Sequence, residues 1–323
     1  MLSTVNRLLV GEGKRFRVEK RRVYWGIRMG EELMIYIDGQ FFPKSEAKIS
    51  VYDHGLLYGD GVFEGIRAYD GSVFKLDEHM KRLYSSARAM KLKIPLTRKR
   101  LTEAVVETIR KNRLKTCYIR LVVTRGVGAL GVDPAKCAKA SVIIIAQPFE
   151  ALLGEKSKEK GVSAVIVSTR RDIPSGTTHE IKSLNYLNSV LAKLEAHQAG
   201  ADEAILLDSR GFVSEATVAN LFLVKDEVVV TPPTTAGILS GITRMETMKL
   251  VSRLGYKLVE RDITPFELIN ADEIFLTGTA AEIVPVVRLN GVKMGNGKPG
   301  PVSKKIVQEF HELTRDPRNG TPI

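Results

Sequence analysis

Apolar positions along the chain fall alternately at two-residue and at three-to-four-residue spacing, and the switches mark the predicted elements. Met34-Ile35-Tyr36-Ile37, an Asp38-Gly39 turn and Gln40-Phe41-Phe42 read as a hairpin. Tyr58 to Arg67 has strand composition broken by Gly59, Gly61 and Gly65. Glycines in a strand mark either close approach of a ligand or backbone, or a bulged hairpin at a sheet edge. Phe63 and Gly65 share a face there. A second turn, Asp70-Gly71, leads into Ser72–Leu76, and helical spacing then begins. Asp77 is the expected N-cap of a helix from Glu78 to Met90, with Met80, Leu83, Ala87 and Met90 as its inner stripe. Thr97 opens a second helix through Leu101, Ala104, Val105, Thr108 and Ile109. Cys117–Thr124 is a strand with Ile119, Leu121 and Val123 on one side and Tyr118 and Arg120 on the other. Ser141–Ala146 reads as a buried strand.

Gln147–Gly161 is polar, charged and glycine-punctuated, and is predicted to be a linker. Strand composition resumes at Val162–Thr169. Leu184, Leu187, Val190, Leu191 and Leu194 have helical spacing, which puts Lys182 at a helix mouth and Tyr186 on the same face. Ala204–Asp208 and Gly211–Glu215 form a hairpin. A helix starts within Leu239–Arg244 and runs through Met248 and Leu254. Glu273–Thr277 is a strand running into the small-residue turn Gly278-Thr279-Ala280-Ala281. An Asn290-Gly291 turn and a helix from about Ser303 follow. There is no internal repeat.

Composition narrows the function classes. At 323 residues, two domains are expected. The predicted division is a basic extension over 1–33, a small α/β domain over 34–148, a linker over 149–161 and a larger domain over 162–323. The net charge of +12 would suggest nucleic acid as a partner, but residues 1–30 carry eight Lys/Arg against two Glu and so hold half of it. Three readings of that segment compete: a targeting peptide, a flexible arm, or an upstream extension with Met29 or Met34 as the working start. The last is favoured. No zinc-finger, RRM or helix-turn-helix pattern supports nucleic-acid binding. No apolar run is long enough to span a membrane. Cys117 and Cys137 give neither metal-ligand spacing nor a disulfide framework, so no metal is expected and a cytoplasmic location is.

The candidate chemistry is scattered. A lysine amine beside a phenol, Lys182 with Tyr186, suits Schiff-base chemistry, although a lysine at a helix start is ordinarily solvated. Tyr118 and Arg120 together suit a carboxylate, or else a solvent-facing strand side. Arg82 lies beside its helix's apolar stripe and on pattern alone belongs to a solvated basic face with Lys81 and Arg88. Glu215 ends a hairpin among small and apolar neighbours, where a buried role competes with a solvated one. Ser240 is a candidate N-cap, and the N–H groups of Gly241, Ile242 and Thr243 form an anion site. The loop Arg125–Pro134 is Gly-rich, carries exposed-looking apolar residues, and lacks a P-loop pattern.

Taken together, Tyr58-Gly59-Asp60-Gly61-Val62-Phe63-Glu64-Gly65-Ile66-Arg67, Glu78-His79-Met80-Lys81-Arg82-Leu83, Tyr118-Ile119-Arg120, Lys182-Ser183-Leu184-Asn185-Tyr186-Leu187, Ser214-Glu215, Leu239-Ser240-Gly241-Ile242-Thr243-Arg244 and Gly278-Thr279-Ala280-Ala281-Glu282 resemble, in order, the branched-chain amino acid aminotransferases. The resemblance runs from about Met34 to Ile323. It implies a fold-type IV pyridoxal phosphate enzyme of α/β (α+β) class, with two mixed domains and the cofactor between them. It also implies ping-pong transfer of the amino group of leucine, isoleucine or valine to 2-oxoglutarate, as in branched-chain amino acid biosynthesis.

By that resemblance Lys182 is the Schiff-base lysine, Tyr186 bonds the cofactor's phenolic oxygen and Glu215 pairs with the pyridine nitrogen. Arg82 holds the phosphate with the N–H groups of Ile242 and Thr243, which reverses its pattern-only reading. Thr279 serves cofactor and substrate alike. Thr279, Ala280 and Tyr118 take the α-carboxylate, Arg120 the distal carboxylate of glutamate, and Phe63 and Gly65 line the apolar pocket. Residues matching Tyr58 and Val132 reach in from a neighbouring subunit, so a homodimer or larger homo-oligomer is expected. The chain departs from the family at Ala216-Thr217-Val218-Ala219, where glycines are usual and Val218 crowds the cofactor's face, and at Leu121, where proline is usual. A D-amino acid aminotransferase or a 4-amino-4-deoxychorismate lyase of the same fold type is the nearest alternative. A basic nucleic-acid-binding protein is the remote one.

Overall fold

The structure, a computed structural model, describes residues 32–149, 157–172 and 177–323. Expectations for residues 1–31, for the middle of the linker and for 173–176 lie outside the described residues. The first hairpin is present as β1 (Met34–Ile37) and β2 (Gln40–Pro43). The chain continues through α1 (His54–Tyr58), β3 (Gly61–Tyr69), β4 (Ser72–Phe74), α2 (Leu76–Ala89), α3 (Arg98–Lys111), β5 (Cys117–Thr124) and β6 (Ser141–Gln147).

The glycine-broken strand β3 is interior, not an edge. It pairs with β5 in unbroken register from Gly61↔Thr124 to Ala68↔Cys117, so the bulged-edge alternative falls away. Ile119, Leu121 and Val123 point from β5 into a core shared with Met80, Leu83 and Ala87 of α2 and Leu101, Val105 and Ile109 of α3. Each buried Val, Leu, Ile or Met side chain contributes about 1.5–3 kcal/mol. Thr97 caps α3 as expected, its hydroxyl accepting from the Arg100 N–H. The start of α2 differs: Lys75, at φ 50°, is the N-cap and Asp77 lies inside the first turn. Leu76 is fully buried, so the apolar anchor draws the helix start back, while Asp77 pairs with Lys81 on the surface.

Next come α4 (Ser157–Lys160), β7 (Val162–Arg170), α5 (Leu187–Gln198), β8 (Glu203–Leu207), β9 (Val213–Ala216), β10 (Asn220–Lys225), β11 (Val228–Thr231), α6 (Ile242–Arg253), β12 (Lys257–Glu260), α7 (Pro265–Ile269), β13 (Glu273–Gly278), β14 (Glu282–Leu289), β15 (Val292–Lys293), α8 (Pro301–Arg315) and β16 (Gly320–Pro322). The second sheet is mixed, in the order β12-β11-β10-β13-β14-β7-β8-β9, with β15 beside β14. Phe222 and Phe275 stack at 5.0 Å in a core closed by α6 and α8. β16 leaves this half and pairs antiparallel with β4, completing the first sheet, which runs β16-β4-β3-β5-β6-β1-β2.

The structure differs from three further expectations. Lys182 is not at a helix mouth: α5 begins five residues later, with Tyr186 as its N-cap. The 182–184 segment is instead laid against β3. The Phe63 N–H donates to the Lys182 carbonyl and the Leu184 N–H to the Gly61 carbonyl, both at 3.0 Å. A Cβ on Gly61 would lie 2.6 Å from Leu184 Cδ1, so the glycine is what lets the segment settle there. Second, the large apolar stripe of α5 (Leu187, Val190, Leu191, Leu194) is exposed, while Ser189, Ala192 and Ala196 are buried, the alanines in a core shared with β7 and β8. Third, the N-cap of α6 is Gly241, not Ser240, whose carbonyl accepts from Arg82.

Candidate active site

A cleft of about 340 Å³ opens between the two sheets. Its floor is the 182–186 segment. Lys182 Nζ donates to the Tyr186 hydroxyl at 3.2 Å and lies 4.5 Å from the centre of the Phe63 ring. Lys182 borders the cavity and is part-buried. Burial, with Arg82 and Arg120 nearby, pushes its amine down to about 7, against the opposing pull of Glu64 and Glu215. A substantial neutral fraction therefore exists at neutral pH. Burial, reinforced by Glu215, pushes the Tyr186 phenol up to about 12, so it stays a hydrogen-bond donor.

Glu215 enters from β9 and is buried. One carboxylate oxygen accepts from Asn220 Nδ2 at 2.9 Å and the Leu239 N–H at 3.1 Å. The other lies 3.4 Å from Arg171 Nε. Burial raises this carboxyl, while Arg171, the Leu239 N–H and Lys182 pull the other way. Above the floor, the Arg82 side chain of α2 is mostly buried, 12% exposed. Its Nε and Nη2 grip the two oxygens of Glu64, each at 2.7 Å, and Nη1 donates to the Ser240 carbonyl at 3.0 Å. Burial alone would raise Glu64, but Arg82 and His79, whose Nδ1 is 2.8 Å away, outweigh it and hold Glu64 down to about 2. Ile242 and Thr243 occupy the first two positions of α6, where N–H groups lack an intrahelical acceptor.

The opposite wall comes from β3 and β5. A Cβ on Gly65 would sit 2.3 Å from the Tyr118 hydroxyl, so Gly65 makes room for that phenol. The Arg120 guanidinium stacks 3.4 Å from the centre of the Phe63 ring and is pushed down by burial, with Tyr118 beside it opposing. Thr279 and Ala280 lie in the turn between β13 and β14. Val218, from the departing 216–219 stretch, lies across from them with its side chain half exposed to the cleft.

The fold thus gathers Phe63, Gly65, Arg82, Tyr118, Arg120, Lys182, Tyr186, Glu215, Ile242, Thr243, Thr279 and Ala280 around one cavity. Tyr58 and Val132 do not line it. They sit near each other at the surface, where the Tyr58 hydroxyl accepts from the Gly131 N–H at 2.7 Å and Val132 is exposed. Residue-level reasoning missed several members. Glu64 had a legible signal, as a charge on the core-facing parity of β3 opposite Phe63 and Gly65. Arg171 had none, because Arg170-Arg171-Asp172 reads as a solvated charge run. Asn220, His179 and Thr217, whose hydroxyl donates to the buried Glu203 at 2.6 Å, were likewise silent. The donor set fits a phosphorylated pyridine aldehyde. There is an amine able to be neutral, a phenol donor, a carboxyl, and an arginine beside a helix start. The buried Arg171 Nε and Thr277 Oγ1 also lack hydrogen-bond partners among the described residues. No cluster of three or more possible metal ligands occurs among the described residues.

Comparison with known proteins places this geometry in context. The family described as amino-transferase class IV matches residues 61–289. A Methanocaldococcus jannaschii protein carrying a provisional branched-chain-amino-acid aminotransferase name is 52% identical over 281 residues, covering 87% of this chain and 96% of that one. The crystal structure of the Escherichia coli branched-chain amino acid aminotransferase superposes with a TM-score of 0.86 at 40% identity, over 89% of this chain and 96% of that one. The branched-chain amino acid aminotransferase from Thermobaculum terrenum, in its pyridoxal phosphate-bound holo-form, gives 0.81 at 29% identity, over 89% of this chain and 96% of that one.

Proposed function

This chain belongs to the class IV aminotransferases, and we propose that it exchanges amino groups between branched-chain amino acids and 2-oxoglutarate. One observation carries the reading. A single cleft brings a proton-poised lysine, Lys182, to face an apolar wall, Phe63 and Gly65, that ends in a guanidinium, Arg120. Such a wall accepts an uncharged branched side chain against Phe63 and a distal carboxylate against Arg120 in turn.

Pyridoxal phosphate is the cofactor, and when bound it supplies the electron sink that makes the substrate α-proton acidic. The chain's own residues do the rest. Lys182 would hold the cofactor covalently between turnovers, and its freed Nζ would carry the α-carbon proton. Tyr186 keeps its phenolic proton and orients Lys182. Arg82 and the N–H groups of Ile242 and Thr243 are proposed to hold the phosphate, with Glu64 fixing the guanidinium plane. Tyr118 and the Thr279–Ala280 turn are proposed to take the α-carboxylate common to all substrates. Glu215 is proposed to face the pyridine nitrogen.

We further propose at least a homodimer. The support is that Tyr58 and Val132 lie off the cleft among exposed Tyr52, Leu56, Val127 and Leu130, an apolar surface suited to a second copy. A division into domains near 149–161 is supported by one sheet on either side, with β16 crossing back. No helix among the described residues is long and apolar enough to cross a membrane; a cytoplasmic location is proposed. A panel of L- and D-amino donors with 2-oxoglutarate tests the function. Leucine, isoleucine and valine should be the fast donors. A D-amino acid outrunning them, or lyase activity on 4-amino-4-deoxychorismate, would replace this reading with its alternatives.

A further inference from the structure

Arg171 follows directly on β7, and its side chain is among the most deeply buried in the chain. Arginine does not shed its proton in proteins, so a buried guanidinium needs a nearby anion or a full set of acceptors. Nη1 donates to His179 Nε2 at 3.1 Å and to the Ser189 hydroxyl at 3.2 Å, and Nη2 donates to the Ala216 carbonyl at 2.7 Å. Nε is left 3.4 Å from Glu215, close enough for an ion pair though not aligned as a hydrogen bond. The His179 ring accepts this bond and must therefore be neutral at Nε2. Burial, with the Arg171 and Lys182 charges nearby, favours that state. Asp172, the other carboxylate at hand, gives one oxygen to Asn188 and places the other 3.4 Å from His179 Nε2, with no direct bond to Arg171.

The surroundings of Glu215 are equally one-sided. Its hydrogen-bond partners, Asn220 Nδ2 and the Leu239 N–H, both donate. The ionisable groups facing it are Arg171 from the end of β7, Lys182 and Tyr186 from the floor, Arg244 from α6 and, further off, Arg82 from α2. An acidic hydrogen on Oε2 would be aimed at two donors, and one on Oε1 would lie beside the Arg171 cation. The cage is thus built for a carboxylate, in a place where burial disfavours one.

We propose that Arg171 is a positioning residue for transamination: it keeps the Glu215 side chain ionised and fixed in direction towards the cleft. This rests on the reading of the cleft as a pyridoxal phosphate site. The competing account is that Arg171 merely braces β7 against β9 and α5.

The test uses the full chain, prepared with and without pyridoxal phosphate. Without cofactor at pH 7, the infrared difference between Arg171→Met and the Arg171→Met/Glu215→Gln double variant should contain a protonated-carboxyl C=O band. The difference between wild type and Glu215→Gln should contain carboxylate bands alone. Arg171→Lys should resemble wild type. With cofactor added, Arg171→Met should bind pyridoxal phosphate roughly ten- to a hundredfold more weakly. Carboxylate bands alone in Arg171→Met, or a protonated band in wild type, would overturn the proposal. If Arg171→Met does not fold, the double variant decides. Recovery of folding once Glu215 is neutralised supports the charge pair, and equal failure leaves Arg171 a brace. Wild-type protein that takes up no pyridoxal phosphate would overturn the transaminase reading, while the infrared result would still decide the charge pair.

Discussion

On the wall built from β3, β5 and α2, the buried acid and base are matched: Glu64 lies between Arg82 and His79 and is held down to about 2. On the wall built from the 182–186 segment, β9 and the start of α6, matching is incomplete. Lys182 is pushed down to about 7 by burial, with Arg82 and Arg120 adding to it, and Glu215 is pushed up because burial outweighs the cations around it. The difference separates two uses of buried charge. A matched pair fixes geometry and stays in one protonation state across the working pH range. An unmatched group stores unfavourable free energy, and Lys182 in consequence sits near a change of state, as a proton carrier must. Arg120 is the exception on the first wall. It faces a ring and a phenol, not a carboxylate, as suits a site whose counter-charge arrives with the substrate.

The comparison can be broken first at Lys182. Lys182→Ala should lower turnover by about 10⁴-fold or more, since a general base alone contributes 10²–10⁴-fold, as read by single-turnover spectroscopy. Stability should move the opposite way. The amine titrates near 7 in the fold against 10.5 for a free lysine, so between those values the unfolded chain binds more protons and wild-type stability rises with pH. Cofactor-free Lys182→Met should therefore be more stable than wild type at pH 7, with the gap closing as pH approaches 10. A gap that widens with pH in denaturant titrations would show that the amine is not strained.

Glu64→Gln should do the reverse, destabilising the protein by about 3–5 kcal/mol because the Arg82 charge stays buried without its partner. The native carboxyl titrates below its ordinary value, so its contribution is present above pH 4.5 and is lost as pH falls towards 2. Urea midpoints for wild type and variant should therefore converge in acid. Glu215→Gln should fold, less stably because the buried Arg171 charge loses its anion, and lose about a hundredfold in turnover for acidic and apolar substrates alike. The smallest effect sharpens the exception. Arg120→Leu should weaken glutamate and 2-oxoglutarate by roughly ten- to a hundredfold, leaving leucine, isoleucine and valine nearly unchanged. An equal loss across all five, in half-reactions measured separately, would assign Arg120 to the shared α-carboxylate or to structure.

Most elements were legible because their cores are regular: the inner faces of α2, α3 and β5 are the residues that periodicity selects. Periodicity failed where a long-range backbone contact, or a small-residue packing face, decided the outcome. Leu184 extends the stripe of α5 on paper, yet β3 captures that segment first. On α5 itself Ala192 and Ala196 win the buried side, because small residues let the helix lie close to β7 and β8. Lys182 and Tyr186 are adjacent as expected, though not by helical geometry. At the site, Arg82 was misread by pattern and recovered by resemblance, since the pairing with Glu64 joins residues in separate elements. Arg171 could not be found either way from local chemistry, because its partners lie eight to forty-five positions distant.

β16 gives the protein a timetable. Its partner β4 emerges early in synthesis, while Pro322, which faces Ser72, emerges 250 positions later (322 − 72). At about 5–20 residues per second, β4 waits roughly 12–50 s with an unpaired edge, the condition under which strands recruit neighbouring chains. The described chain supplies brevity as a guard, since β4 is only three residues long. Closure is then made by Ile323, which donates its N–H to the Gly71 carbonyl at 2.9 Å and packs against the first core. Nascent chains stalled before residue 320 should leave β4 open to proteolysis, and become protected only after elongation resumes and residues 320–323 are free to pair.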